Sequence, residues 1–155
     1  MKMKKTLLPL FLALVAFVFA GCGGEKLNIS LADAGNQLLQ QQQFTDQLTE
    51  LASEDACTLY GIENDDIVDA IAYVSSGATA EEISLWQAKD SKSLKNITDA
   101  IEARMASQKD AYASYKPEEV PKLENYILKT AGDYAVLCVT DDTDAAESIL
   151  TDLGF

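Results

Sequence analysis

An apolar run near the start of the chain limits which residues can belong to a folded domain. Leu7 to Ala20 follows three lysines and leads into Gly21 and Cys22, the pattern of a secretory signal that ends in a lipobox-like site. The small side chains of Ala20 and Gly21 let a peptidase reach the bond before Cys22, whose thiol can carry a diacylglycerol. We therefore expect residues 1–21 to be a lipoprotein signal peptide, cleaved between Gly21 and Cys22, with lipid attached at Cys22.

Two other interpretations of this segment are less favoured. The run from Leu7 to Ala20 is 14 residues long and contains Pro9, whereas a membrane-spanning helix needs about 20 apolar residues. A secreted protein without lipid is the second alternative, and Phe19 stands where lipoboxes usually carry leucine. Lipidation predicts a protein held on the extracytoplasmic face of the cell membrane.

Cleavage leaves residues 22–155, enough for a single domain. Gly23 and Gly24 predict a flexible tether over residues 22–30, followed by one domain over residues 31–155. Nine of the 12 basic residues remain against 25 acidic ones, and this excess disfavours nucleic acid and anionic lipid headgroups as partners. The expected contacts are the membrane, through lipidated Cys22, and an extracytoplasmic protein or envelope component.

Two cysteines remain after Cys22. Export to an oxidising compartment permits a disulfide between Cys57 and Cys138. The apolar strand pattern around Cys138 instead favours two buried free thiols, since cysteine behaves as a small hydrophobe. Neither residue has the CxxC or Cys-His context of a redox or nucleophilic site.

The hydrophobic pattern predicts an α+β fold in which an antiparallel sheet, built from two β-hairpins, packs with a long amphipathic helix and shorter N- and C-terminal helices. Residues 44–51 either continue the first helix or form a short extended piece. Thr79-x-x-Glu82 could open a helix as a capping box, but a hairpin is favoured. The predicted elements are helices over residues 31–43, 54–60, 91–115 and after Asp141–Thr143, and strands over residues 67–75, 82–89, 125–130 and 133–140.

In the first of these strands, the alternation places Ile67, Ile71 and Tyr73 on one face and Val68, Ala70, Ala72 and Val74 on the other. Because both faces are apolar, we expect the strand to be covered on both sides.

The sequence indicates no catalytic constellation. It contains no histidine, which removes the commonest general base and the Ser-His and Cys-His nucleophile arrangements. No nucleotide-binding fingerprint and no paired CxxC occur, so we expect no cofactor, no metal and no enzymatic activity. Two acidic clusters, residues 63–66 and Asp141, Asp142, Asp144 and Glu147, are explained by turn formation and helix capping without calcium.

Arg104 and Gln108 are unusual because they lie on the apolar stripe of the long helix. A polar group turned toward a core requires a partner, and an ion pair between Arg104 and Glu81 or Glu82 is the favoured explanation. The alternative is that Arg104, Gln108, Tyr112 and Tyr115 form one wall of a small site for an anionic group. The neighbouring segment Ser76–Thr79 is explained as a turn.

Several short motifs together resemble a known family. They are Tyr60-Gly61-Ile62, the run from Ser76 to Ile83, Arg104 with Gln108, Tyr115-x-Pro117 and Gly132-x-Tyr134. This combination resembles domain of unknown function 4358 (DUF4358), small lipoproteins of anaerobic Gram-positive bacteria, over about residues 54–155. Tyr112 stands where the family is expected to carry phenylalanine. The resemblance implies a location and a fold, and no reaction or ligand.

Three functions remain open at this point. The favoured hypothesis is a lipid-anchored, non-catalytic domain that binds a protein or an envelope component. The alternative is the solute-recognition component of an uptake or sensing system, although 134 residues is small for a two-lobed receptor. A cell-wall enzyme that works through carboxylates is the third, and would require a deep pocket with two converging carboxylates.

Overall fold

A computed structural model of the chain describes residues 27–155. The predicted signal peptide, its cleavage site, the lipid attachment at Cys22 and the tether as far as residue 26 lie outside the described residues. None of the helices described over residues 27–155 has the length and apolar character needed to cross a membrane.

Five α-helices and five strands form the fold of the described residues. The helices are α1 (Leu31–Gln41), α2 (Ser53–Tyr60), α3 (Ser91–Tyr115), α4 (Val120–Glu124) and α5 (Thr143–Asp152). The strands are β1 (Thr49–Ala52), β2 (Ile67–Val74), β3 (Glu82–Ala88), β4 (Ile127–Ala131) and β5 (Tyr134–Val139). This confirms the predicted α+β class, and α3 has the bounds that its apolar stripe predicts.

The strands form one antiparallel sheet in the order β1-β2-β3-β5-β4. The two predicted hairpins, β2–β3 and β4–β5, are joined through β3 and β5, where Glu82 lies opposite Val139 and Gln87 opposite Tyr134. The end of the segment 44–51, left undecided by the sequence, forms most of β1 (Thr49–Ala52), an edge strand that pairs with β2. The start of β3 therefore lies in the middle of the sheet, beside the end of β5.

Helices cover both faces of this sheet. Alternate residues of β5 divide between two cores, because successive side chains of a strand point to opposite faces. Ala135, Leu137 and Val139 join the core beneath α2, α3 and α4. Tyr134, Val136 and Cys138 join the core beneath α1 and α5.

The two buried cysteines are free thiols and belong to different cores. Cys57 packs in the α3 core and Cys138 in the α1–α5 core. The sheet lies between them, which explains physically why they do not pair.

The predicted pattern of β2 is wrong at its first residues. A bulge between Ile67 and Asp69 shifts the register, so Ile67 packs with the α3 core, whereas Ile71 and Tyr73 pack with the α1–α5 core. An extra residue in one strand reverses the alternation that follows it. Val68, expected to be covered, is 60% exposed as a result.

Residues 117–124, between α3 and β4, adopt helical structure that the sequence pattern did not predict. Residues 117–124 form a 3₁₀ turn (Pro117–Glu119) and α4, each with proline in its first turn, a position that proline favours. Near the start of the described residues, Leu27 and Ile29 pack against the α1–α5 core. Both residues lie in the segment 22–30 that the sequence assigns to the tether.

Candidate functional site

Arg104 and Glu82 form a buried ion pair between α3 and β3. Arg104 Nε donates to Glu82 Oε1 and Arg104 Nη2 to Glu82 Oε2, each at 2.7 Å. The side chains are 15% and 4% exposed. Burial alone would lower the pKa of Arg104, but the hydrogen bonds and charge of Glu82 raise it above its usual value. The carboxylate that pairs with Arg104 is therefore Glu82, one of the two that the sequence nominates.

Two aromatic side chains, Tyr60 and Trp86, support this ion pair. The Tyr60 hydroxyl donates to Glu82 Oε1, and the Arg104 guanidinium carbon lies 4.9 Å from the Tyr60 ring centroid, within cation–π range. Tyr60 in turn meets Trp86 edge to face, with centroids 5.0 Å apart. Burial, followed by the charge of Glu82, raises the pKa of Tyr60 well above its usual value. Tyr60 thus stays a neutral donor that holds Glu82 in place.

The adjacent carboxylate, Glu81, anchors a second cluster. Its oxygens accept from the backbone N–H groups of Thr45 and Asp46 at 2.9 Å, and from Lys122 Nζ at 3.3 Å. Lys122 is 7% exposed and also contacts Glu119 and Asp141, each at 3.1 Å. Burial would raise the pKa of Glu81, but these amide donors and Lys122 lower it. Glu81 is therefore a charged structural link between β3, α4 and the chain before β1.

The connection between β2 and β3, residues Ser75–Glu81, is held by side chains from other elements. We call it the 75–81 loop. Asp46 accepts from the Ser75 and Ser76 hydroxyls and the Ser76 N–H at 2.6–2.9 Å, and these bonds lower the pKa of Asp46 to about 2. On the opposite side, Glu119 accepts from the Ala80 N–H at 2.8 Å.

Two side chains near the C-terminal end of α3 complete this attachment. The Tyr112 hydroxyl donates to the Thr79 carbonyl, and Lys116 Nζ, just beyond α3, donates to the Ala78 carbonyl at 2.6 Å. The 75–81 loop is thus fixed against α3 without backbone ladder bonds along most of its length.

An open pocket of about 600 Å³ lies between this loop and α3. A volume of this size is within the range of small-molecule sites. The pocket is lined by Ser76, Gly77, Ala78, Gln108, Ala111, Tyr112 and Tyr115. None of these side chains is charged.

Gln108 and Tyr115 line this pocket with polar side-chain atoms that have no hydrogen-bond partner within residues 27–155. The half-buried amide of Gln108 makes no hydrogen bond to any residue in 27–155. Tyr115 is 73% exposed, and its ring lies 6.2 Å from that of Tyr112 at an angle of 57°. An amide and an aromatic ring are available for contact with a ligand here.

Two smaller depressions adjoin this pocket at Gln108. One, of about 410 Å³, lies between α2 and α3 and includes Leu59, Gly61, Arg104 and Gln108 in its lining. The other, of about 130 Å³, lies beneath the 75–81 loop and includes Glu82, Arg104, Gln108 and Tyr112. Gln108 is common to all three.

The acidic clusters noted in the sequence are engaged in local structure. Asp142 caps α5 by accepting from the Ala145 N–H at 3.0 Å, and Asp141 contacts Lys122. Asp66 accepts from Ser93 Oγ and Asn96 Nδ2 at 2.8 and 3.0 Å. Within residues 27–155, no group of three or more His, Cys, Asp or Glu residues is arranged to hold a metal ion.

The structure brings the four nominated α3 residues together in two layers. Gln108, Tyr112 and Tyr115 line the open pocket, whereas Arg104 lies beneath it, paired with Glu82. The opposite wall is positioned by residues that the sequence pattern did not indicate, namely Asp46, Lys116, Glu119 and Lys122. The signal that could have pointed to them is Ser75–Glu81 itself, a polar loop with no apolar side chain larger than alanine to pack it.

Comparison with known proteins identifies one family. No curated protein and no solved structure matches the chain. Residues 40–140 match the family described as "Domain of unknown function (DUF4358)". The matched range begins earlier than the motifs suggested and ends before α5, and it contains the 75–81 loop, the Arg104–Glu82 pair and the pocket. Since this range covers well over half of its length, the chain belongs to the DUF4358 family.

Proposed function

We propose that this protein is a lipid-anchored, extracytoplasmic domain that binds a component of the cell envelope without catalysing a reaction on it. The observation that carries the proposal is the pocket between the 75–81 loop and α3, which is uncharged and has a fixed wall. A site whose walls are already ordered loses little conformational entropy on binding.

The engagement of the nearby carboxylates supports binding rather than catalysis. Glu82 accepts from Arg104 and Tyr60, Glu81 from two amides and Lys122, and Glu119 from the Ala80 N–H. A general acid or base needs a carboxyl group within hydrogen-bond reach of the substrate. None of these three lines the open pocket.

The anchoring part of the proposal rests on the sequence alone. The lysines, the apolar run and Gly21–Cys22 have the order of a lipoprotein signal. A lipid on Cys22 would place a domain that begins by Leu27 within a few residues of the membrane surface. Glycan and protein components of the envelope are therefore the accessible partners.

Metabolic labelling with a fatty acid in the native cell tests the anchor. The wild-type chain should incorporate the label and sediment with membranes, and Cys22→Ala should do neither. Cys57→Ala is the matched control, because Cys57 is a buried thiol of the α3 core. Unprocessed precursor in the cytosol as the major species would refute the proposal.

Crosslinking in intact cells tests the binding part. The wild-type chain should be recovered joined to an envelope polymer or an envelope protein. Recovery of no neighbour, together with a small metabolite that raises the melting temperature, would instead favour a solute-recognition component.

A further inference from the structure

We propose that the surface along α3 from Ala100 to Tyr115 binds an uncharged glycan chain, with Tyr115 as the stacking platform and Gln108 as the hydrogen-bonding centre. This inference rests on the proposed function and names the class of envelope component that the site takes.

The shape of the surface suits an extended ligand. The depression between α2 and α3 and the open pocket between the 75–81 loop and α3 meet at Gln108. Together they follow α3 from Ala100 to Tyr115, which is about 22 Å at the rise of an α-helix. We call this continuous surface the α3 groove. A groove of that length accommodates several sugar units of a polymer, whereas a single small solute would fill only one of its two depressions.

The groups that face the α3 groove suit sugar hydroxyls and ring faces. The Gln108 amide supplies two donors and an acceptor, with no protein partner among the residues described. Tyr115 offers a largely exposed ring to the apolar face of a sugar, and its side chain has few torsions to immobilise. A sugar presents hydroxyl groups next to an apolar ring face, so it can contact the Gln108 amide and the Tyr115 ring at the same time.

Charge argues for an uncharged ligand. The pocket lining carries no charged side chain, and the nearby guanidinium of Arg104 is neutralised by both oxygens of Glu82. The chain as a whole has a formal net charge of −13, which repels polyanions. The anionic ligand that Arg104 suggested in the sequence is thus disfavoured relative to a neutral glycan.

Titration of the full chain in detergent with an uncharged oligosaccharide, tetra-N-acetylchitotetraose, tests this inference by calorimetry. We expect saturable binding that Tyr115→Ala weakens by at least about tenfold and Gln108→Ala by about fivefold. Tyr115→Phe should retain binding, because it keeps the ring. Val68→Ala is the control, since Val68 is an exposed apolar residue of β2 outside the groove.

Two results would overturn the inference. One is no binding of the oligosaccharide at millimolar concentration by a chain whose melting curve is intact. The other is binding that the Tyr115 and Gln108 substitutions leave unchanged. Poly(glycerol phosphate) of similar length serves as the anionic comparison, and tighter binding of that polymer would also contradict the charge argument.

A photoreactive amino acid in place of Ala111 distinguishes this inference from the broader proposal. In cells, it should capture glycan. Capture of protein alone would refute the glycan ligand while leaving an envelope-binding lipoprotein intact. Loss of membrane association would refute the anchored lipoprotein, and the purified chain would still report on glycan binding.

Discussion

Replacement of Arg104 by methionine tests whether the buried ion pair holds β3 against α3. Methionine keeps most of the volume and removes the charge, so Glu82 loses both of its 2.7 Å bonds to the guanidinium. The carboxylate is 4% exposed, so water cannot readily replace them. Tyr60 remains as a donor to one oxygen.

The expected cost follows from burial. Removing one partner of a fully buried ion pair costs about 3–5 kcal/mol. Because the Arg104 side chain is 15% exposed, we expect the lower end, about 3 kcal/mol. For a domain of this size that corresponds to a fall in melting temperature of roughly 10 °C.

Urea denaturation followed by circular dichroism measures this cost. Lys95→Met is the matched control, since Lys95 pairs with Asp99 on the same helix but is 72% exposed. A surface pair of that kind contributes about 0.3–0.5 kcal/mol. The double variant Arg104→Met with Glu82→Leu should recover at least about 1 kcal/mol relative to Arg104→Met alone, because it also removes the unpaired carboxylate.

Two results would refute this reasoning. If Arg104→Met unfolds at the same urea concentration as wild type, the ion pair does not hold the fold, and a role for Arg104 in binding a ligand gains support. If the double variant is less stable than Arg104→Met, the cost does not come from an unpaired Glu82.

Three further predictions concern the loop and the cores. Lys122→Met should cost about 3 kcal/mol in the same urea assay, because it leaves three carboxylates facing one another; a change below about 1 kcal/mol would contradict this. Asp46 has a folded pKa of about 2 against the usual 3.8, so its stabilising effect is present above about pH 4 and is lost as the pH falls toward 2. Asp46→Asn should therefore make the melting temperature fall less steeply between about pH 4 and pH 2 than in the wild type. An unchanged dependence on pH would show that Asp46 does not stabilise the fold through its charge. Gly35→Ala should destabilise by about 1 kcal/mol despite its better helix propensity, because its Cβ would lie 2.5 Å from Tyr73 Cε2; a more stable variant would show that the Tyr73 ring moves freely.

The sequence predicts the main elements because their patterns are local. The apolar stripe of Ile97, Ile101 and Met105 predicts α3. Asp90 caps the start of this helix, and the helix ends before Pro117. Gly61, with φ of 68°, ends α2, and glycine at this position is a common local signal for the end of a helix. The hairpins follow from apolar alternation and from glycines at their turns.

Features that depend on contacts between distant parts of the chain could not be predicted from the sequence. The edge strand β1 has no buried residue, so its pairing with β2 depends on tertiary contact. The bulge between Ile67 and Asp69 reverses the alternation of side chains that follows it, and no distinctive residue type marks its position. The attachment of the 75–81 loop depends on Asp46 and Glu119, which lie about 30–40 residues away along the chain.

The candidate site was predictable on one side only. Helical periodicity places Arg104, Gln108, Tyr112 and Tyr115 on one face of α3, and the structure puts them beside one another. Which of them is paired and which is free depends on Glu82, whose position is set by the sheet. Hence the sequence could nominate this wall of the pocket, but it could not distinguish the structural Arg104 from the unpartnered Gln108.

Hydrogen exchange of the backbone amides of the 75–81 loop tests the central claim most directly, namely that side chains fix this loop as a wall of the pocket before any ligand binds. The N–H groups of Ser76, Thr79 and Ala80 donate to Asp46, Ser75 and Glu119. In the protein without ligand, residue-resolved exchange should therefore be slow for Ala80, at a rate close to that of β3, and measurably retarded for Ser76 and Thr79. Exchange of all three at the rate of an unstructured peptide would contradict a preformed site.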